Sequence, residues 1–265
     1  MMRLPREGMG TAPLGNLYAE VREIDARMTV SAAWSRGIRY FDTAPHYGFG
    51  LAEKRLGDAL RILDPRQRAV ISTKVGRTLV PCRPREAERH GFVNAAPYEP
   101  RFDYSRDAIL RSHEESLKRL RRDRVQILLA HDIGAMTHGA DAGAHLHRFL
   151  DSGYPAMAEL KAQGTIDAIG IGVNETAICE QLLRSIDLDV ILLAGRYTLL
   201  DQSAAERVLP FCQEHGVQLV VGGVYNSGIL ACPTREQTPG YAPSGATAPG
   251  PRLDGPEASP ARAKR

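Results

Sequence analysis

The sequence predicts an α/β protein in which repeated βα units build a parallel barrel. Short aliphatic or β-branched runs alternate with segments of helical period, and the runs are apolar on both faces, as buried parallel strands are. The 265-residue chain is 43% hydrophobic and 25% charged, a balance typical of one large core. The predicted strands lie at residues 38–42, 69–74, 125–131, 166–173, 190–194 and 217–221, with a weak first strand near 9–13.

Amphipathic segments between these strands are expected to form the outer helices. Their apolar residues recur with helical spacing, as in Ala52, Leu56, Ala59 and Leu60, and again in Ala205, Val208, Leu209 and Cys212. Capping side chains or acids stand where helices should begin, at Ser105 with Asp107, at Asn174 with Glu175, and at Asp201.

Two long connections, residues 76–104 and 132–153, follow the C-terminal ends of predicted strands. In a barrel, active sites are assembled at that face, so long loops there favour a functional interpretation. A mobile insertion is the alternative for either loop alone.

Counting the units gives seven strands, so we expect residues 1–231 to form a barrel that is incomplete at its C-terminal end. Residues 232–265 are rich in Pro, Gly, Ala and Ser without apolar periodicity, and are expected to be disordered. Because a parallel sheet with unpaired edges exposes backbone donors and acceptors, instability, oligomerisation and truncation of a longer protein all remain open.

Composition argues against several kinds of partner. The formal net charge is +3 and no compact basic run is interleaved with aromatics, so nucleic acid is not expected. No apolar stretch approaches membrane-spanning length, and the N-terminus lacks the pattern of a signal peptide. The four cysteines stand far apart without paired spacing, which favours a reducing cytoplasm.

Four ionisable side chains stand at or just beyond the C-terminal ends of predicted strands. They are Asp42 and Tyr47 in FDTAPHYG, Lys74 in ISTKVG and His131 in LLAHD. Each alone has a structural explanation: a turn cap, a packed aromatic, a snorkelling lysine and a satisfied core histidine. Together they should converge on the mouth of the barrel, the opening at the C-terminal ends of its strands. Burying such groups costs free energy unless they are paired. A functional site is therefore favoured.

The ordered motifs GMGTAPLGNLY, FDTAPHYG, STKVGR, LLAHD and GIGVN resemble the aldo-keto reductase family over roughly residues 8–230. The resemblance implies a (β/α)8 TIM barrel and an oxidoreductase that transfers a hydride between NAD or NADP and a small carbonyl or alcohol substrate. The wording GTAPLGNLY, GVNE and GGVYNSGIL resembles the branch of L-fucose (D-threo-aldose) and pyridoxal dehydrogenases, so an aldose or an aromatic aldehyde is the expected substrate.

The resemblance also implies a catalytic tetrad of Asp42, Tyr47, Lys74 and His131. Tyr47 would serve as acid or base, with its pKa lowered by the Lys74 ammonium, which Asp42 holds. His131 would donate a hydrogen bond to the reacting oxygen. This chemistry needs no metal.

For the cofactor, the resemblance places Asn174 at the nicotinamide carboxamide and Gly10 and Thr11 along the same rim. Asn174 could equally be only a helix cap. Where many family members stack an aromatic ring on the nicotinamide, this chain offers Gly222 and Gly223, with Tyr225 displaced. The last strand and helix, which hold the adenosine half in the family, find no match, so weak dinucleotide binding is expected.

Three alternatives stand beside this interpretation. A truncated relative could keep the site residues by descent and be non-catalytic. Lys74 could be the Schiff-base lysine of an aldolase, although the nearby Tyr47 argues against it. His138, His145 and His147 could suggest a metal, but no carboxylate or cysteine completes a recognised spacing, so no metal site is predicted.

Overall fold

The computed structural model describes residues 3–226. The predicted disordered tail at 232–265 lies outside these residues, so a domain boundary at residue 231 stays a prediction. The strands, in chain order, are β1 (Met9–Gly10), β2 (Tyr40–Asp42), β3 (Val70–Val75), β4 (Arg77–Pro81), β5 (Glu88–Arg89), β6 (Phe92–Val93), β7 (Tyr98–Phe102), β8 (Ile127–His131), β9 (Ala168–Val173), β10 (Val190–Ala194) and β11 (Gln218–Gly222). The α-helices are α1 (Glu23–Ser35), α2 (Leu51–Leu63), α3 (Arg106–Leu120), α4 (Ala135–His138), α5 (Ala142–Arg148), α6 (Tyr154–Ala162), α7 (Thr176–Leu183) and α8 (Val208–His215).

Seven strands form one parallel sheet in the order β1-β2-β3-β8-β9-β10-β11. Each coincides with a predicted strand to within two residues at its start, although the weak first strand ends at Gly10 and continues as a 3₁₀ turn over Ala12–Gly15. Within residues 3–226, β1 and β11 are the two sheet edges. The backbone N–H of Leu4 donates to Gln218 Oε1 at 2.8 Å and so connects the N-terminal segment to β11.

Two apolar clusters follow from the alternation of side chains along the strands. The larger one lies between the sheet and its helices and includes the whole predicted stripe of α2, from Ala52 to Leu60. The smaller one lies inside the sheet's curvature and contains Tyr40, Ile127, Leu129, Ala168, Val190 and Leu192. The side chains at the strand positions of this smaller cluster therefore point toward the interior of the barrel.

The two long connections contain regular secondary structure. Residues 76–104 contain the antiparallel pair β4–β7 and the small hairpin β5–β6. The second connection folds into α4, α5 and a π-helical turn at Phe149–Gly153.

One predicted helix start is wrong. The helix expected at Asp201 begins at Val208, because Asp201 Oδ1 accepts from both the backbone N–H and the hydroxyl of Ser203 and holds a turn there. Among the helices of the described residues, none has the length and apolar character to cross a membrane.

Candidate active site

Strand alternation aims three ionisable side chains into one mouth. Asp42, Lys74 and His131 lie at the ends of β2, β3 and β8, on the positions that continue the inward-facing apolar cluster. All three are almost fully buried, at 8%, 1% and 5% exposure. Below them the interior is apolar, so their polar groups must be satisfied by one another or at the mouth.

Lys74 is the centre of this arrangement. Its ammonium donates to Asp42 Oδ2 at 2.6 Å, to the Thr43 carbonyl at 2.9 Å and to the Tyr47 hydroxyl at 3.0 Å. An ammonium has three donors, and all three are used. Burial alone would lower the pKa of Lys74, but Asp42 and Tyr47 outweigh it and raise that pKa. Lys74 is therefore a fixed positive charge beneath the phenol.

The Asp42 carboxylate is held from its other side by a chain of hydroxyls. Ser72 donates to Asp42 Oδ1 at 2.7 Å, and the hydroxyl of Tyr40 lies 3.0 Å from Ser72 Oγ. Burial and the charge of Asp42 raise the pKa of Tyr40, so this phenol remains a donor. Sequence reasoning missed Ser72 and Tyr40, although both share the inward-facing register of Asp42 and Lys74.

Tyr47 reaches the mouth from the turn after β2. Its backbone packs directly on the first loop: a Cβ on Gly15 would lie 2.6 Å from the Tyr47 carbonyl carbon, and one on Gly48 would lie 2.4 Å from the Gly15 oxygen. Gly48 also has a φ of 63°, a conformation that favours glycine. These two glycines allow the close approach that places the phenol over Lys74.

The pKa expectation for Tyr47 is not met. Burial raises the pKa of Tyr47, and the opposing effect of Lys74 does not reverse that shift. The phenol therefore stays protonated near neutral pH.

His131 stands edge-on to Tyr47, with ring centroids 5.8 Å apart and planes at 87°. Its Nδ1 is buried without a hydrogen-bond partner among residues 3–226. Burial, reinforced by the charges of Arg77 and Lys74, lowers the pKa of His131 well below its usual range. The imidazole is therefore neutral. The hydroxyl of Tyr104 donates to the His131 carbonyl at 2.6 Å and anchors the strand end.

Glycines in β9 make room for the buried lysine. A Cβ on Gly172 would lie 3.0 Å from Lys74 Cε and 3.3 Å from Lys74 Cδ. A Cβ on Gly170 would lie 1.7 Å from the Val190 carbonyl oxygen. Gly172 is therefore required for the packing of Lys74, and Gly170 for the close pairing of β9 with β10.

The predicted cofactor-binding residues lie at the same rim but differ in exposure. Asn174 directly follows β9 and is exposed. Thr11 is fully buried, and both its backbone N–H and its hydroxyl donate to the Asp42 carbonyl at 2.9 Å. Gly10 is exposed and pairs with Asp42 across β1 and β2. Thr11 thus supports Asp42, while Asn174 and Gly10 are accessible to solvent.

Asn174 is not the helix cap that its position suggested. Glu175 occupies the N-cap position of α7, and the Asn174 amide instead donates to Asp132 Oδ1 at 3.1 Å. The other Asp132 oxygen accepts from Arg77 and lies 3.5 Å from His131 Nε2. Burial raises the pKa of Asp132, opposed first by Arg77. Sequence reasoning missed Asp132 and Arg77, although each directly follows a quoted motif residue or glycine, in LLAHD and STKVGR.

The remaining candidates are placed as follows. The rings of His138 and His145 lie 4.1 Å apart, and His138 Nε2 is 3.0 Å from the Tyr104 hydroxyl. Residues 3–226 hold no group of three or more histidines, cysteines and carboxylates arranged to bind a metal. Beyond β11, Gly223 has a φ of 65° and Tyr225 is 70% exposed.

The sequence of the chain matches a known protein family. The family model for the aldo/keto reductase family matches residues 8–246. The chain is 46% identical over 236 residues to pyridoxal 4-dehydrogenase of Microbacterium luteolum, covering 85% of this chain and 68% of the relative. It is 40% identical over 237 residues to D-threo-aldose 1-dehydrogenase of a Pseudomonas species, covering 87% and 68%.

The fold of the chain is also similar to a solved aldo-keto reductase structure. The aldo-keto reductase AKR11C1 of Bacillus halodurans, in its holo form, matches with a TM-score of 0.66 and 29% identity, covering 86% of this chain and 65% of that one. The chain thus spans about two thirds of the length of these relatives.

Proposed function

The chain belongs to the aldo/keto reductase family, and we propose that its mouth carries out the oxidoreduction of a small carbonyl or alcohol substrate with NAD or NADP. The family resemblance and the barrel fold predicted from the sequence are confirmed. The predicted cofactor and enzyme class are confirmed: the family uses NAD(P), and the relatives above are named two dehydrogenases and an aldo-keto reductase. The observation that carries the proposal is the contact of Lys74 with both Asp42 and Tyr47 in a buried mouth.

The mouth fits a nicotinamide group. Asn174 is exposed at the rim, and with its NH2 directed at Asp132 its Oδ1 remains as an acceptor for a carboxamide N–H. We assign Asn174 and the backbone of Gly10 and Thr11 to the cofactor side. When bound, the cofactor supplies the hydride donor or acceptor.

Tyr47 handles the proton. In reduction, its hydroxyl donates to the developing alkoxide, and the Lys74 ammonium 3.0 Å away stabilises the phenolate that remains. In oxidation, the phenolate takes the alcohol proton. Because burial raises the pKa of Tyr47, reduction starts from the resting state, whereas oxidation first requires a proton to leave.

His131 positions the reacting oxygen. A neutral imidazole carries one N–H and donates it without adding a charge. Its edge-on placement 5.8 Å from the Tyr47 ring leaves both groups able to reach one substrate oxygen. Among residues 3–226 the Asp42 carboxylate accepts hydrogen bonds from Lys74 and Ser72, and it fixes the charge that Tyr47 needs.

For the substrate we propose an aldose or an aromatic aldehyde. The two relatives named above are, by name, a pyridoxal and an aldose dehydrogenase. Beside the mouth, the partly exposed rings of His46 and Tyr47 pack against the buried ring of Phe92, so an aromatic wall borders the reacting groups. We also propose a cytoplasmic location, supported by free thiols at Cys82, Cys179 and Cys212.

The test measures turnover and binding separately. The purified chain is titrated calorimetrically with NADH and NADPH, then assayed by nicotinamide absorbance against a panel of aldoses and pyridoxal. Turnover that Tyr47→Phe abolishes supports the proposal. Binding without turnover on any carbonyl or alcohol would favour a non-catalytic relative. Trapping of a substrate on Lys74 by borohydride would favour the aldolase alternative.

A further inference from the structure

The Asp132 carboxylate joins three segments that are distant in sequence. Arg77, on β4 of the first long connection, donates to Oδ2, and Asn174, after β9, donates to Oδ1 at 3.1 Å. The Asp132 backbone N–H also donates to the Gly172 carbonyl at 2.9 Å. Asp132 is 8% exposed and adopts a φ of 48°, a left-handed conformation that aspartate tolerates. Asp132 is thus held through its backbone N–H and through both oxygens of its carboxylate.

The charge of Arg77 decides how the Asn174 amide turns. An ionised carboxylate only accepts hydrogen bonds, so the group that Asn174 presents to it must be its NH2. Burial raises the pKa of Asp132, but the Arg77 guanidinium in direct contact with the carboxylate opposes that shift and favours the ionised form. An amide flipped by 180° would place two oxygens against each other. The side-chain oxygen of Asn174, Oδ1, therefore faces away from Asp132.

The backbone of Asn174 is held as well. Arg196 Nε donates to the Asn174 carbonyl at 2.6 Å, and Arg196 is paired with Asp201 at 3.0 Å. The residue thus has fixed main-chain and side-chain contacts, although it is exposed. Such fixed exposed acceptors are typical of sites that bind without reorganising.

We propose that Asp132, held by Arg77, is a positioning residue that orients the Asn174 amide so that its oxygen reads the NH2 of the nicotinamide carboxamide. This inference rests on the proposed function, since it assigns Asn174 to the cofactor. It adds a link between the first long connection and the cofactor side of the mouth. Loss of Asp132 lets the amide present either its oxygen or its nitrogen.

The experiment compares two cofactors that differ at one group. Calorimetric titration measures the Kd of NADH and of its 3-acetylpyridine analogue, in which a methyl replaces the carboxamide NH2. The wild-type chain is expected to bind NADH more tightly than the analogue by roughly two- to tenfold, the range of one neutral hydrogen bond. In Asp132→Asn and Asp132→Ala this ratio should fall, because the amide is no longer held in one orientation, and in Asn174→Ala it should fall to about one.

Two controls separate orientation from stability. Arg77→Met removes the contact to the other oxygen of the Asp132 carboxylate and should also lower the ratio of the two Kd values. Asp64→Asn disrupts a comparably buried pair with Arg122, 2.9 Å apart and away from the mouth, and should lower thermal stability while leaving the ratio unchanged. Circular dichroism of each variant checks that it is folded.

The outcomes are distinguishable. If the wild-type chain binds neither dinucleotide nor turns over any substrate, the proposed function fails and this inference fails with it. If it binds and turns over but the ratio is unchanged in both Asp132 variants, only the role of Asp132 is refuted. A ratio lowered equally by Asp64→Asn would assign the effect to stability and refute it too.

Discussion

Removing Asp42 should expose the cost of a buried lysine. Lys74 is 1% exposed, and Asp42→Ala deletes the carboxylate at 2.6 Å while leaving only the Thr43 carbonyl and the Tyr47 hydroxyl as acceptors. Breaking a buried pair from one side typically costs about 3–5 kcal/mol, because the remaining charge is uncompensated. At about 2–4 °C per kcal/mol for a chain of this size, Tm should fall by roughly 6–20 °C.

The pH dependence of this loss follows from the Lys74 pKa. In the wild type that pKa is raised, so the contribution of Lys74 to stability is present below its unfolded pKa of about 10.4 and is lost as pH rises through the folded value. In Asp42→Ala the uncompensated burial lowers the folded pKa, so the variant becomes more stable as pH rises. The difference in unfolding free energy should therefore be largest near neutral pH and shrink at alkaline pH.

The assay is urea unfolding followed by circular dichroism, at neutral and at alkaline pH. The double variant Asp42→Ala/Lys74→Met removes both charges and should recover most of the loss. Asp25→Ala, which removes a carboxylate from the exposed pair with Arg22, is the matched control and should change stability little. A loss below about 1 kcal/mol for Asp42→Ala, or no recovery in the double variant, would refute the reasoning.

Three further predictions concern turnover and packing. Tyr47→Phe should lower the rate by about two to four orders of magnitude, measured with one cofactor and substrate, while the protein stays folded at a somewhat lower Tm, because one donor of the buried Lys74 ammonium loses its acceptor; an unchanged rate excludes Tyr47 as acid or base. Gly172→Ala should cost about 1–3 kcal/mol and lower kcat, because its Cβ would lie 3.0 Å from Lys74 Cε; Gly143→Ala, with open space around it, should be neutral or stabilising in the same unfolding assay. Because the pKa of His131 lies well below its usual range, kcat should show no step between about pH 6 and 8; a step removed by His131→Gln would contradict a neutral imidazole.

Much of the fold was predictable because local pattern and tertiary demand agree. A strand buried on both faces is mostly apolar, so β8, β9 and β10 are visible as short aliphatic runs, whereas β3 carries the polar residues of the site among its apolar ones. Their ends were equally visible, because parallel strands bring their C-terminal ends to one face. The long connections were less predictable, since the pairing of β4 with β7 depends on contacts across a long loop rather than on a local pattern.

The sequence by itself determined which residues could meet, because Asp42, Lys74 and His131 stand at the C-terminal ends of parallel strands, where alternation of the side chains directs all three into one mouth. Only the tertiary structure decided what these groups do to one another. The pKa of Tyr47 moves upward because the surrounding protein displaces water, a quantity that no spacing encodes. Asn174 turns to Asp132 rather than capping α7 because a residue 42 positions away supplies the stronger acceptor. Burial and long-range pairing arise only when the chain is folded, and they set the electrostatics of this site.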